Sequence, residues 1–200
     1  MTGIAGYLQQ VDVKLLLLIN HARSPALDFV MKTVSDFNLF LPLIAAFIIY
    51  RLVRGGTAER IMWIVGILAV ISSDAMCARV LKPIIGRYRP YLDIDGLYVF
   101  KGHKWLIIDP GLRSGFKPSL SWPSCHAFNI WTAASYIFGF RIAEGLAVAL
   151  LAVMVCYSRV YLGVHYPLDT LGGMILGILW GLLFAWLARL AISAMDNKAS

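Results

Sequence analysis

The chain has 200 residues, of which 60% are hydrophobic and 14% are charged, and its mean hydropathy is +0.73. This balance excludes an ordinary soluble domain and is typical of a helical membrane protein. The formal net charge is +7, but the basic residues form neither one run nor one helical face, so we expect no nucleic-acid partner. We expect one domain over residues 1–200, with room for about five or six crossings of about 20 residues each.

The first predicted element is an N-terminal segment, 1–24, that lies at the membrane interface. Its apolar run, 13–19, is too short to span a bilayer, so 7–20 is predicted to be an interfacial helix, and a sixth crossing there is less favoured. The apolar runs that follow predict five crossings, at about 26–52, 60–81, 124–140, 142–161 and 166–192. Together these elements predict an all-α, polytopic transmembrane helix bundle.

A long polar stretch, 83–122, separates the second predicted crossing from the third. Loops longer than about 15 residues are uncommon in compact domains and tend to be functional. We therefore expect this loop to lie on the side of the membrane where a substrate binds.

The three cysteines, Cys77, Cys125 and Cys156, stand at unrelated spacings, and two of them fall inside apolar segments. Disulfide frameworks and zinc sites normally show regular cysteine spacing in polar surroundings. The pattern therefore argues against both a disulfide framework and a zinc site.

Three short polar islands, 82–90, 123–126 and 158–169, interrupt the apolar sequence. The first ends the second predicted crossing, the second begins the third crossing, and the third joins the fourth crossing to the fifth. All three islands are therefore predicted to emerge on the same face of the membrane. Their chemically competent residues are Lys82, Arg89, Ser124, Cys125, His126, Ser158, Arg159, His165 and Asp169.

These residue types supply what the transfer of a phosphoryl group requires: an attacking group, a proton donor and positive charge around the phosphoryl oxygens. His165 is the predicted nucleophile, because Asp169 follows four residues later and can hold the other ring nitrogen of the imidazole. His126, near the start of the third crossing, is the predicted general acid for the leaving oxygen.

The predicted phosphate cradle combines backbone and side-chain groups. Ser124 and Cys125 stand at a helix N-terminus, where free backbone N–H groups bind anions. Lys82, Arg89 and Arg159 are predicted to surround the remaining phosphate oxygens, and each arginine can bind two oxygens at once.

The three islands resemble the signature of the type 2 phosphatidic acid phosphatase family, KxxxxxxRP, PSGH and SRxxxxxHxxxD. Every spacing fits, from Lys82 and Arg89 through His126 to His165 and Asp169. The resemblance implies a helical membrane fold and a dephosphorylation that needs neither metal nor cofactor. It also implies that His165 is the nucleophile, that His126 is the acid, and that the site of a bacterial inner-membrane member faces the periplasm or exterior.

Cys125 departs from the signature, which has glycine at this position, so a side chain could crowd the cradle or restrict a backbone that needs positive φ. The favoured function is hydrolysis of a terminal phosphate from a lipid in the bilayer through a phosphohistidine. Polyprenyl pyrophosphate and phosphatidylglycerophosphate are the favoured substrates, and phosphatidic acid and lipid A are further candidates.

Two alternatives remain open: a lipid-to-lipid phosphotransferase and a non-catalytic carrier of anionic lipids. The oligomeric state does not follow from the sequence.

Overall fold

A computed structural model describes residues 3–199, so residues 1, 2 and 200 of the expected domain lie outside the described part. The helices are α1 (Ile4–His21), α2 (Pro25–Ser35), α3 (Phe37–Arg54), α4 (Thr57–Met76), α5 (Lys82–Ile85), α6 (Pro110–Arg113), α7 (Cys125–Phe138), α8 (Ile142–Tyr161) and α9 (Pro167–Ala199). A π-helical segment, Cys77–Leu81, joins α4 to α5 without a break, and a single 3₁₀ turn forms at Pro90–Leu92. The predicted all-α bundle is therefore confirmed.

Among residues 3–199, four helical stretches are long and apolar enough to cross a membrane: Phe37–Arg54, Thr57–Ile85, Ile142–Tyr161 and Pro167–Met195. The helix at the predicted third crossing, α7, has 14 residues and lies against α4, α8 and α9. Glycines on α9 allow α7 to approach closely, since a Cβ on Gly177 would lie 2.5 Å from the carbonyl oxygen of Phe128. The bundle is thus built around α7, which holds one island at its N-terminus.

The first predicted crossing, 26–52, is wrong as a single helix, because the chain breaks at Asp36 into α2 and α3. The Asp36 side chain accepts a hydrogen bond from the backbone N–H of Asn38 at 3.1 Å. A short polar side chain that bonds the backbone in this way offers a helix start in place of continued helix. α2 packs on α8, whereas α3 contacts α4.

The polar loop 83–122 contains a feature that was not predicted, an antiparallel hairpin of β1 (Tyr98–Lys101) and β2 (Lys104–Ile107). The hairpin is tied to the bundle through α1, because the Asn20 side chain donates to the carbonyls of Tyr98 at 2.7 Å and Tyr161 at 2.8 Å. α1 therefore forms the predicted helix, and its buried face joins the hairpin to the end of α8.

The expectation that the cysteines form no disulfide is wrong. Cys77 and Cys125 are bonded to each other, with their Cα atoms 5.6 Å apart although the residues are 48 positions apart in sequence, while Cys156 is free. Spacing along the chain did not reveal the pair, because the bond depends on where the end of α4 meets the start of α7. Both cysteines lie at the end of the bundle that carries the polar islands.

Candidate active site

The three islands meet at one end of the bundle, as predicted from the crossing count. The Lys82 ammonium donates to the carbonyl oxygen of Leu120 at 2.9 Å, and Arg89 Nε points at the same oxygen from 3.4 Å. The second island is tied to the third, because the backbone N–H of Ser124 donates to the carbonyl of Asp169 at 2.9 Å. Residues far apart in sequence thus form one site.

His165 is buried in the connection between α8 and α9, with 1% of its surface exposed. Its Nδ1 lies 3.2 Å from the Ser121 hydroxyl oxygen and 3.5 Å from Oδ2 of Asp169. The Ser121 hydroxyl donates to that same carboxylate oxygen. Since the serine proton goes to Asp169, the serine oxygen accepts from Nδ1–H, which leaves Nε2 as the nitrogen with a free lone pair.

The surroundings of His165 favour its neutral form. Burial, followed by the positive charges of Arg89 and Arg159, holds the pKa of His165 well below its usual range. A neutral imidazole keeps the lone pair that a nucleophile needs. The same cations that would bind a phosphate therefore also keep His165 unprotonated.

Asp169 is held from several sides and is fully buried. Its Oδ2 accepts the backbone N–H of Tyr166 at 2.8 Å, and its Oδ1 accepts from Arg87 Nη1 at 2.8 Å. The position of the carboxylate near the N-terminus of α9 adds favourable interaction with the helix dipole. The carboxylate is thus oriented before any substrate arrives.

Sequence reasoning gave no role to Arg87, Asp12 or Ser121, and all three hold the site together. Arg87 Nη2 donates to the buried carboxylate of Asp12 at 2.6 Å, so one guanidinium bridges Asp12 and Asp169. Asp12 also accepts the backbone N–H of Leu168 at 2.9 Å, at the start of α9. Burial raises the pKa of Asp12 against the opposing effect of Arg87. A lone carboxylate beside an apolar run was the only sequence signal for Asp12.

Two polar atoms in the predicted cradle are buried without a hydrogen-bond partner among the residues that the structure describes: Oγ of Ser124 and Nε of Arg159. The other side of the Arg159 guanidinium is anchored, since Nη1 donates to Ser35 Oγ at 2.5 Å. Buried polar groups are normally satisfied, so unpaired ones at a functional site suggest a ligand. Both groups are hydrogen-bond donors, which is the chemistry that an anion requires.

The two predicted catalytic histidines differ in access. His126 lies in the first turn of α7 with an exposed side chain, whereas His165 is buried. Cys125 is not among the described residues with positive φ, so the concern about backbone strain at this position does not apply. No group of three or more His, Cys, Asp or Glu residues within the described part of the chain is placed to hold a metal ion.

Comparison with known proteins agrees with this arrangement. Residues 62–192 match the family model of the PAP2 superfamily. The chain belongs to this superfamily. The match includes all three islands and confirms the family resemblance inferred from them.

Curated relatives align over most of the chain. A lipid A 4′-phosphatase from Bacteroides thetaiotaomicron is 30% identical over 92% of this chain and 79% of that protein. An undecaprenyl-diphosphatase from Sulfolobus acidocaldarius is 27% identical over 90% of this chain and 77% of that protein.

Two solved structures share the fold. A transmembrane phosphatidylglycerolphosphate phosphatase from Bacillus subtilis superposes with a TM-score of 0.62 and 25% identity, covering 100% of this chain and 90% of that one. LpxE from Aquifex aeolicus gives a TM-score of 0.64 at 24% identity, covering 87% of this chain and 94% of that one. With four apolar helices of sufficient length, this chain is an integral membrane protein.

Proposed function

We propose that this protein is a membrane lipid phosphatase that removes a terminal phosphate through a phosphohistidine on His165. The observation that carries the proposal is the arrangement of His165 itself. Its Nδ1 is held by Ser121 and Asp169, its pKa is depressed, and the charges of Lys82, Arg89 and Arg159 act on it. This is a nucleophile beside a phosphate cradle.

The first chemical step forms a bond between Nε2 of His165 and phosphorus as the bond from phosphorus to the leaving oxygen breaks. His126 donates its proton to that oxygen, so the lipid departs as an alcohol or, from a pyrophosphate, as a lipid monophosphate. Lys82, Arg89 and Arg159 stabilise charge on the phosphoryl oxygens, and the Ser124 hydroxyl donates to one of them. The positive charge that develops on the His165 ring is balanced by Asp169.

In the second step, His126 acts as a base and His165 becomes the leaving group. His126, now neutral, takes a proton from water as the water oxygen attacks phosphorus and the bond to Nε2 breaks. Inorganic phosphate leaves, and both histidines return to their starting protonation states. The exposed position of His126 supports this role, because the acid must reach both the leaving lipid and bulk water. In the free site, desolvation and the charges of Arg159, Arg89 and Lys82 lower the pKa of His126 to about 3, so the role requires a bound phosphate whose negative charge offsets those cations and raises this pKa.

We infer a substrate class, a lipid phosphate monoester or pyrophosphate, and favour polyprenyl pyrophosphate or phosphatidylglycerophosphate within it. Phosphatidic acid and lipid A belong to the same class. The relatives named above cover lipid A, undecaprenyl diphosphate and phosphatidylglycerolphosphate, which supports the class. All of these lipids present the same phosphate to the cradle, so the remainder of the headgroup must decide among them.

We also propose that the protein lies in a bacterial inner membrane with its active site facing the periplasm or exterior. Disulfides persist in oxidising compartments and are rare in the cytosol. The bond between Cys77 and Cys125 lies at the active-site end of the bundle. That placement supports an extracytoplasmic site.

The test is phosphate release by purified protein in detergent micelles containing EDTA. The panel comprises polyprenyl pyrophosphate, phosphatidylglycerophosphate, phosphatidic acid and lipid A. We expect release from at least one lipid, its loss in His165→Ala, and full activity in His103→Asn, a matched control at an exposed hairpin-turn position.

Four results would contradict the proposal. Release that persists in His165→Ala would exclude the nucleophile, and strong inhibition by EDTA would exclude the metal-free route. Transfer of phosphate to another lipid without release of inorganic phosphate would establish the phosphotransferase. If folded protein binds these lipids without turnover, it is a carrier.

A further inference from the structure

The disulfide joins two parts of the catalytic machinery that the family signature leaves unconnected. Cys77 begins the π-helical segment that leads directly into Lys82, and Cys125 is the first residue of α7, immediately before His126. Single π-helical turns inside α-helices frequently occur at functional sites. One covalent bond thus links the helix that carries a phosphate-binding cation to the helix that carries the general acid.

The first turn of α7 is fixed on two opposite sides. On the α9 side, the backbone N–H of Ser124 donates to the carbonyl of Asp169 at 2.9 Å. This bond ties α7, which carries His126, to the residue whose carboxylate holds His165. On the α4 side, the restraint at this level is the bond between Cys77 and Cys125. His126 follows both anchors directly, so its position depends on each of them.

Without the disulfide, α4 and α7 would be held together one helical turn further into the bundle. There the Asn129 side chain donates to Asp74 at 2.8 Å and accepts from the Ser73 hydroxyl at 2.9 Å. A turn of α-helix rises 5.4 Å, so this contact restrains the first turn of α7 only indirectly. Packing of α7 against α4 would remain, but the α4 side of the His126 turn would lose its covalent tie.

We propose that the disulfide between Cys77 and Cys125 is a positioning cross-link that sets His126 for proton transfer to the leaving oxygen. The bond also ties the Cys125 side chain to Cys77, at the position where the signature has glycine. This inference rests on the proposed phosphatase function. Formation of the bond from two thiols releases two protons and two electrons, which a disulfide oxidant of the cell envelope accepts as it becomes a dithiol.

A positioning role for the acid predicts a particular pattern of loss. An alkoxide is a poor leaving group, so a lipid phosphate needs the proton from His126, whereas p-nitrophenolate leaves without protonation. Misplacement of a catalytic group by about 1 Å can cost about 100-fold in rate. Loss of the cross-link should therefore slow the first step, phosphorylation of His165, far more with the lipid phosphate than with p-nitrophenyl phosphate. The second step uses His126 as a base with either substrate, so the first step is the one to compare. A general loss of structure would slow the first step equally with both.

The experiment compares oxidised protein with protein treated with a water-soluble trialkylphosphine, in the same detergent. Phosphorus attacks one sulfur, the S–S bond breaks, and water converts the phosphonium to phosphine oxide, leaving two thiols. Thiol titration verifies the state of each sample, and circular dichroism with size-exclusion chromatography verifies folding. Cys77→Ala removes the cross-link without reductant, and Cys156→Ser is the matched control for a cysteine outside it.

We expect reduction, or Cys77→Ala, to lower the single-turnover rate of leaving-group release from a lipid phosphate by about 10- to 100-fold, and to lower the burst rate of p-nitrophenol formation by less than about 3-fold. Cys156→Ser should match wild type in both redox states, and phosphine should have no further effect on Cys77→Ala. An unchanged first-step rate with the lipid after verified reduction, or an equal fall in the first-step rate with both substrates, would overturn the cross-link's role while leaving the phosphatase intact. Oxidised wild type that hydrolyses neither substrate would overturn the proposed function, and this role with it.

Discussion

Arg87 donates to the Asp169 carboxylate at 2.8 Å, although the two residues are 82 positions apart in sequence. The same guanidinium reaches the buried carboxylate of Asp12 at 2.6 Å. The N-terminal helix therefore takes part in holding the carboxylate that supports the proposed nucleophile. A helix that the sequence assigned to the membrane interface is in fact connected to the active site.

Replacement of Arg87 by lysine should weaken both the site and the fold. Lysine keeps the charge, but a single ammonium cannot reproduce the planar fork that bridges two carboxylates. We expect a loss of about 1–3 kcal/mol in the free energy of unfolding, because two buried carboxylates lose part of their pairing. Thermal denaturation in detergent together with kcat measures the effect.

The control for Arg87→Lys is Arg113→Lys, which alters a more exposed ion pair with Asp95. Exposed pairs contribute less than about 1 kcal/mol, so this variant should stay close to wild type. Equal losses in the two variants would show that the bridge between Asp12 and Asp169 has no special importance.

Ser121→Ala should lower kcat with little effect on KM. The serine hydroxyl connects Nδ1 of His165 to Asp169, whereas its contacts do not include the cradle's cations. Loss of the hydroxyl lets the imidazole rotate, and we expect about a 10- to 100-fold fall in kcat. Ser121→Thr retains the hydroxyl and should recover a large part of the rate. A rise in KM without a fall in kcat would contradict this role.

Stability should decrease on acidification because the folded state keeps His165 neutral. Its pKa is depressed in the folded protein, while an unfolded histidine titrates near about 6.5. The unfolded chain therefore binds the extra proton first, and stability is lost as pH falls through about 6.5, by up to about 1.4 kcal/mol per pH unit. Melting temperatures in detergent between about pH 7.5 and pH 5 measure this loss of stability, because that interval spans the pKa of an unfolded histidine.

The comparison variant for the loss of stability at low pH is His165→Asn, which cannot bind the proton. Its melting temperature should fall less steeply with acidification than that of wild type. Parallel pH profiles for the two proteins would show that His165 does not account for the acid sensitivity.

Local sequence patterns identified the residues that carry chemistry, but not those that hold them. Lys82, His126 and His165 stood out because their spacing and residue types match a known signature, and α8 began and ended where its apolar run did. Asp12 escaped notice because its partner, Arg87, is 75 residues away and meets it only after α1 docks on the bundle.

The helix break at Asp36 and the disulfide were missed for related reasons. An apolar pattern continues on both sides of Asp36, and only the local side-chain bond to Asn38 shows that the helix ends there. Cys77 and Cys125 are 48 positions apart, and their pairing depends on where two helices meet in the fold. Hydropathy reports burial along a helix, not which helices meet.

The most direct test of the proposed mechanism is to trap the phosphoryl group on the protein. In His126→Ala, the base for the second step is missing, so p-nitrophenyl phosphate carrying a radiolabelled phosphoryl group should load the enzyme and release it slowly. After an alkaline quench and peptide mapping, we expect an acid-labile label on His165 and none in the double variant that also carries His165→Ala. A label on another residue, or no label while His126→Ala forms p-nitrophenol in a burst, would contradict the phosphohistidine mechanism.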